Sequence, residues 1–179
     1  KYSNESYYWT KYQNKKMKIF PAIDIKDKKC VRLVKGDFNN KTEYETSPID
    51  QAGKYKDHGF KNLHIVDLDG ALTGNTVNLD IIKEIVGKYD LKIEVGGGVR
   101  SIDSIKKYVD LGVEKVILGS AAIKNKEFLK EACTKFKKKI ALGLDAKDGN
   151  LSVSGWKENL NIKISDFLKE VNDFGVSRL

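Results

Sequence analysis

From position 17 onward the chain alternates between two kinds of segment, and this alternation restricts the fold more than any other feature. Five short apolar runs, KIFPAIDI, NLHIVDL, KIEVGGG, KVILGS and KIALGLDA, are separated by amphipathic stretches. In IDSIKKYVDLG, Ile102, Ile105, Val109 and Leu111 gather the apolar character while Lys106 and Lys107 face outward. ISDFLKEVNDFG does the same with Ile164, Phe167, Leu168, Val171 and Phe174, and Gly175 is placed to end that helix. Ser101 and Ser165 sit where N-caps belong. Strands that are apolar throughout and separated by helices imply a parallel sheet covered on both faces.

Polar and glycine residues cluster at the C-terminal ends of these runs: Asp24, Asp67, Gly96 to Gly98, Gly119 with Ser120, and Asp145. A closed barrel gathers every such end on one face, whereas an open doubly wound sheet uses one crevice. The sequence also repeats itself. AIDIKDKK and GLDAKDGN align Asp24, Lys26 and Asp27 with Asp145, Lys147 and Asp148 at identical spacing. A repeat of four βα modules predicts an α/β chain of the (β/α)8 TIM barrel type, built of two halves with one aspartate in each.

Residues 17–179 then read as the first five βα units, ending in helix five and the start of strand six. Residues 1–16 are polar and aromatic without a usable period, and are expected to lie outside the domain. Such barrels usually need about 250 residues, so the chain reads as a fragment. Without closure, strands one and five would keep unpaired edges. That predicts self-association and little activity for the isolated chain, and a monomer for the full-length protein.

Hydrophobic residues at 40% and charged residues at 32% fit a globular protein. No apolar run approaches the ~20 residues that cross a bilayer, and the start lacks a signal-peptide core. A cytoplasmic protein is expected. Cys30 and Cys133 have no metal-ligand spacing and are expected as reduced thiols, with no metal site. His58 and His64 share no ligand spacing, and His64 reads as a packed strand residue. The net charge of +8 comes from lysines spread along helix faces, without the interleaved aromatics of a nucleic-acid module. It suits an anionic, phosphorylated small molecule.

The chemistry is concentrated in a few positions. VGGGVRS lets backbone N–H groups approach an anion without Cβ obstruction, and the following helix presents its positive end. LGSAAIKN places Gly119 and Ser120 before another helix, so the two strand ends together make a candidate phosphate cradle. Charged Asp24 and Asp145 at the ends of apolar strands are costly unless used or paired. One carboxylate can take a proton from carbon while the other gives one to oxygen, the acid needing a raised pKa. Arg32 and Arg100 could bind phosphate or remain surface cations. Trp156 could stack on a heteroaromatic substrate ring or anchor its loop.

FPAIDIKDKKCVRLVKGD, HIVDLDGALTG, IEVGGGVRS, ILGSAAI, GLDAKDG and VSGW, in this order from Met17 to the last residue, resemble the phosphoribosylformimino-5-aminoimidazole carboxamide ribotide isomerases of histidine biosynthesis. The resemblance implies a (β/α)8 barrel that performs an Amadori rearrangement, aminoaldose to aminoketose, without metal or organic cofactor. It implies that Asp24 accepts the proton at sugar C2′ and that Asp145 donates the one that opens the furanose ring. Gly98, Gly119 and Ser120 would hold one of two substrate phosphates. Arg32, Arg100 and Trp156 match substrate-contacting positions, and Asp67 another position on the active face. A second phosphate site would lie beyond residue 179. The sister cyclase subunit of imidazole glycerol phosphate synthase shares the two aspartates, but Ala22-Ile23-Asp24, VDLDGA and SGW favour the isomerase. An isomerase that also serves tryptophan synthesis and a non-enzymatic phosphate-binding half-barrel are the other readings.

Overall fold

A computed structural model describes residues 17–34, 36–153 and 158–179. The five apolar runs all become strands: β1 (Ala22–Lys26), β4 (Asn62–Asp67), β5 (Lys92–Gly96), β6 (Lys115–Leu118) and β7 (Ile140–Leu142). They pair in parallel in the order β1-β4-β5-β6-β7. Crossovers of fixed hand in an order that never reverses keep every connecting helix on one face of the sheet. Such a sheet has no switch point of the doubly wound kind.

The helices between the strands are α1 (Pro48–Asp57), α2 (Leu68–Thr73), α3 (Leu79–Lys88), α4 (Ile102–Asp110), α5 (Ser120–Lys124) and α6 (Lys126–Lys135). Their apolar faces contribute Ala52, Ile82, Ile85, Ile105, Tyr108, Leu129 and Ala132 to the core. Against them pack Ile23 and Ile25, Leu63 and Ile65, Ile93 and Val95, Val116 and Leu118. These strand residues alternate, as the pleat requires. The expectation of strands apolar throughout and covered on both faces is therefore corrected. One face meets the helices, and the other carries Asp24, His64 and Glu94.

Helix α4 starts as the sequence indicates, with the Ser101 side chain accepting from the Ser104 amide at 3.1 Å. The last helix, α7 (Ile164–Val171), buries Phe167 and Val171. Its N-cap is Lys163, so Ser165 lies inside the first turn, where its hydroxyl donates to Asp166. A short 3-10 turn follows, and Gly175 then ends the segment at φ +88°.

Two antiparallel additions escape the apolar-run pattern. A hairpin of β2 (Lys29–Val34) and β3 (Asp37–Glu43) extends the sheet beyond β1. A separate three-stranded sheet contains β8 (Asp145–Lys147), β9 (Asn150–Val153) and β10 (Glu158–Lys163). The hairpin overturns the expected free edge at strand one, because β1 exchanges ladder bonds with β2. The outermost strand, β3, reads DFNNKTE, a polar edge that resists adding another chain. On the far side, Ser177 and Arg178 bond to β7 through Ser177 N–H to Ile140 O and Leu142 N–H to Arg178 O, both 2.9 Å. The expected bare edge at strand five is occupied as well.

Candidate active site

Asp24 stands near the C-terminal end of β1 with its side chain 17% exposed. Its neighbour from the hairpin is Arg32, whose Nη1 is 3.9 Å from Asp24 Oδ2. Burial raises the Asp24 carboxyl above its ordinary value, and the charges of Arg32 and His64 oppose that rise. The outcome is a carboxylate of strengthened basicity held beside two cationic or polarisable groups.

Asp145 is placed differently from expectation. Strand β7 stops at Leu142, and Asp145 opens the separate antiparallel sheet with an exposed side chain. Gly143 and Leu144 intervene because the chain leaves the parallel ladder to begin a hairpin. What the structure preserves is the repeat. Asp24, Ile25 and Lys26 pair with Val31, Cys30 and Lys29. Asp145, Ala146 and Lys147 pair with Ser152, Leu151 and Asn150 in the same register. Both hairpins turn through two left-handed residues, Asp27 (φ 51°) with Lys28 (φ 63°) and Asp148 (φ 53°) with Gly149 (φ 79°). That is the turn which matches the twist of paired antiparallel strands. The two aspartates thus occupy equivalent positions in two equivalent hairpins, the first built on the first parallel strand itself and the second beginning just beyond the fifth.

The glycine run performs a packing task. Gly97 and Gly98 have φ of +106° and +69°, and a Cβ on Gly98 would stand 1.7 Å from the Gly70 carbonyl oxygen. A Cβ on Gly97 would meet the Asp67 backbone at 2.2 Å. The loop after β5 is therefore pressed onto the β4–α2 turn. Ser101 occupies one amide of the helix N-terminus that follows. Gly119 is the N-cap of α5, where a Cβ would make only an ordinary contact of 3.8 Å with the Gly143 carbonyl oxygen, and Ser120 begins that helix. Arg100 is engaged with protein: its Nη2 donates to the Ala71 carbonyl at 2.8 Å, and its side chain crosses Gly74.

Asp67 departs from its expected place on the active face. Its carboxylate is fully buried and accepts from Gly70 N–H (2.8 Å), Asn78 N–H (3.0 Å) and Asn78 Nδ2 (2.7 Å). The Tyr108 hydroxyl adds a long contact at 3.5 Å, and burial drives the tyrosine pKa upward. Asp67 points to the helix side by strand parity, like Leu63 and Ile65, and its work is to cap α2. Trp156 lies outside the described residues, as do residues 1–16. Cys30 and Cys133 are free buried thiols, and desolvation pushes Cys30 up to about 11.

A cavity of about 260 Å³ touches Asp24, Arg32 and Tyr44. The larger one, about 780 Å³, is lined by Arg100, Asn125, Phe128 and Lys130 and reaches neither aspartate. Reading residues in runs missed that His64 and Glu94 stand on the same sheet face as Asp24. They share the parity of Asp24 across β4 and β5, with His64 Nδ1 at 2.8 Å from Glu94 Oε1. Alternation within NLHIVD, where Leu63 and Ile65 take the helix side, was the available signal.

Residues 18–179 match the family described as "Histidine biosynthesis protein". A protein of Pelagibacter ubique is 86% identical over 163 residues, covering 91% of this chain and 68% of that protein. Proteins of Clostridium kluyveri and Clostridium novyi are 50% and 45% identical over the same share of each chain. Each of these relatives is named 1-(5-phosphoribosyl)-5-((5-phosphoribosylamino)methylideneamino) imidazole-4-carboxamide isomerase. With 162 of its residues matched to the family and relatives this similar, the chain belongs to the histidine biosynthesis protein family.

Proposed function

We propose that this chain carries the two acid–base residues of the isomerase of histidine biosynthesis. The reaction converts the bis-phosphorylated aminoaldose of the relatives' name into its aminoketose by an Amadori rearrangement. The observation that carries the pairing of Asp24 with Asp145 is the conformational repeat, in which Asp24 on the first parallel strand and Asp145 just beyond the fifth take equivalent posts in their hairpins. In an eight-stranded barrel those strands face each other across the lumen, so the aspartates would address opposite sides of one sugar.

Asp145, exposed to a bound ligand, protonates the ring oxygen. The C1′–O bond breaks, and the nitrogen lone pair forms a C1′–N double bond. Asp24 then removes the C2′ proton, and the electron pair moves to C1′–C2′. Return of a proton to C1′ and loss of the 2′-hydroxyl proton give the ketose, with no net change in atoms or electrons. The raised basicity of Asp24 suits the difficult step, removal of a proton from carbon. Asp24 stays the base and Asp145 the acid, each in its own environment.

Backbone amides around Gly98 and Gly119, with Ser120, supply one phosphate cradle, and Arg32 sits beside Asp24 to meet a polar part of the substrate. Arg100 and Asp67 serve by supporting that cradle from behind. Trp156 stacking on the imidazole ring is the reading its position in the sequence supports. Residues 17–179 form the first five βα units of the barrel, and the relatives' additional length provides closure and a second cradle. The protein is cytoplasmic, acts on a small molecule without nucleic acid, and is monomeric when closed. The 179-residue chain assayed alone turns over little substrate.

The test is a coupled assay of the full gene product with the aminoaldose. Asp24→Asn and Asp145→Asn should each lower kcat by about a thousandfold or more, the scale of losing an acid or base with its positioning. Turnover that persists in either variant would overturn the two-aspartate assignment.

A further inference from the structure

The sheet face that carries Asp24 also holds polar groups that the proton transfers above leave unused. His64 on β4 and Glu94 on β5 follow Asp24 across neighbouring strands, and the Arg178 side chain reaches Glu94 from the segment beside β7. His64 Nδ1 is 2.8 Å from Glu94 Oε1. The other Glu94 oxygen, Oε2, faces the Arg178 guanidinium, which also lies over the Phe20 ring at 4.9 Å. The Glu94 side chain is 10% exposed. A carboxylate that deep is costly unless paired, and Arg178 compensates it.

This arrangement decides where the imidazole carries its hydrogen. A carboxylate only accepts, so the ring nitrogen that meets Glu94 must donate. Burial and the Arg178 charge hold the His64 pKa down, while Asp24 opposes them. The ring is then neutral near neutral pH, and with Nδ1 bearing hydrogen, Nε2 keeps a lone pair.

We propose that Glu94 is a positioning residue that locks His64 in the Nδ1–H tautomer and so presents Nε2 as an acceptor on the face that carries Asp24. What Nε2 accepts rests on the isomerase reading: the sugar 2′-hydroxyl, which must lose its proton as the carbon attacked by Asp24 becomes a ketone. Among the described residues, the titratable and charged groups acting on His64 are Asp24, Glu94 and Arg178.

The experiment combines a spectrum with kinetics on the full gene product. Long-range proton–nitrogen correlation of ¹⁵N-labelled imidazoles reads the tautomer directly, and a His64→Gln variant assigns the signals. The wild type should show Nδ1 protonated and Nε2 bare. Glu94→Leu should move the hydrogen to Nε2 and lower kcat by about 10-fold to 100-fold, as when a functional imidazole loses its orienting carboxylate, with KM changed far less. Glu94→Gln keeps an acceptor oxygen and should recover the tautomer and most of kcat. If Glu94→Leu does not fold, the wild-type tautomer and the Gln variant decide. An Nε2–H tautomer in the wild type overturns the proposal, as does Glu94→Leu with unchanged kcat, or Glu94→Gln as impaired as Leu. An Nδ1–H tautomer in a wild type that turns over no aldose counts against the isomerase reading alone.

Discussion

Replacing Gly98 with alanine tests whether the glycine run is there for packing. The new methyl group would stand 1.7 Å from the Gly70 carbonyl oxygen and 2.8 Å from the Ala71 nitrogen, both backbone atoms that no rotamer change can move. The contact is more than an ångström short of the 3.0 Å that real Cβ atoms keep, so the loop after β5 must lift off the β4–α2 turn. Placing an L-residue at φ +69° costs about 1–2 kcal/mol by itself. Forcing the packed segments apart adds about 1–3 kcal/mol. The expected loss is about 2–5 kcal/mol, which lowers a urea midpoint by roughly 1–2.5 M for an m-value near 2 kcal/mol/M. Gly59→Ala is the control, because Gly59 has φ +84° but nothing within 4 Å of its Cβ position. It should lose only the conformational part. Urea unfolding of the three proteins followed by circular dichroism measures the difference. Equal losses in the two variants would refute the close-approach argument and return the glycine run to a purely ligand-facing role.

Other outcomes follow from the same geometry. Asp24→Asn should be inactive yet more stable than wild type at neutral pH. Burial raises the Asp24 pKa above 3.8, so its favourable contribution is complete below 3.8 and lost as pH rises through the folded-state value. Thermal melts at pH 3 and pH 7 check this, and a variant less stable at pH 7 contradicts it. Asp67→Ala strips the buried acceptor of three hydrogen bonds from Gly70 and Asn78. The loss should be about 3–5 kcal/mol by urea titration, and a loss under ~1 kcal/mol would show that the network is not what caps α2. Lys28 holds the left-handed post that Gly149 holds in the repeat. Lys28→Gly should stabilise by up to about 1 kcal/mol in the same titration, since its exposed pair with Asp80 contributes little. A destabilised variant would mean that the pair outweighs the turn.

Much of the molecule could be read from the linear chain because the relevant signals are local. The five apolar runs became the five parallel strands, Ser101 opened α4 through its side chain, and Gly175 closed the last helical segment through its left-handed backbone. The Asp24–Lys26–Asp27 repeat held in three dimensions because a two-residue turn with positive φ is a property of adjacent residues. The β2–β3 hairpin and the β8–β10 sheet went unread. Their residues are polar or mixed, and antiparallel pairing, of β2 with β1 and of β8 to β10 among themselves, supplies the order that their own pattern lacks.

Sequence alone determined that Asp24 and Asp145 repeat, and that the chain is built on an α/β parallel architecture. It could not determine which way each side chain points, because one residue of register sends neighbours to opposite faces. Tertiary structure turned Asp67 inward as a buried cap, tied Arg100 to the Ala71 carbonyl, and set Gly97 and Gly98 against a backbone that admits no Cβ. It also lined up Asp24, His64 and Glu94, which are 30 or more residues apart, on one face. That alignment arises from parallel register between strands, a long-range pairing that no local pattern encodes.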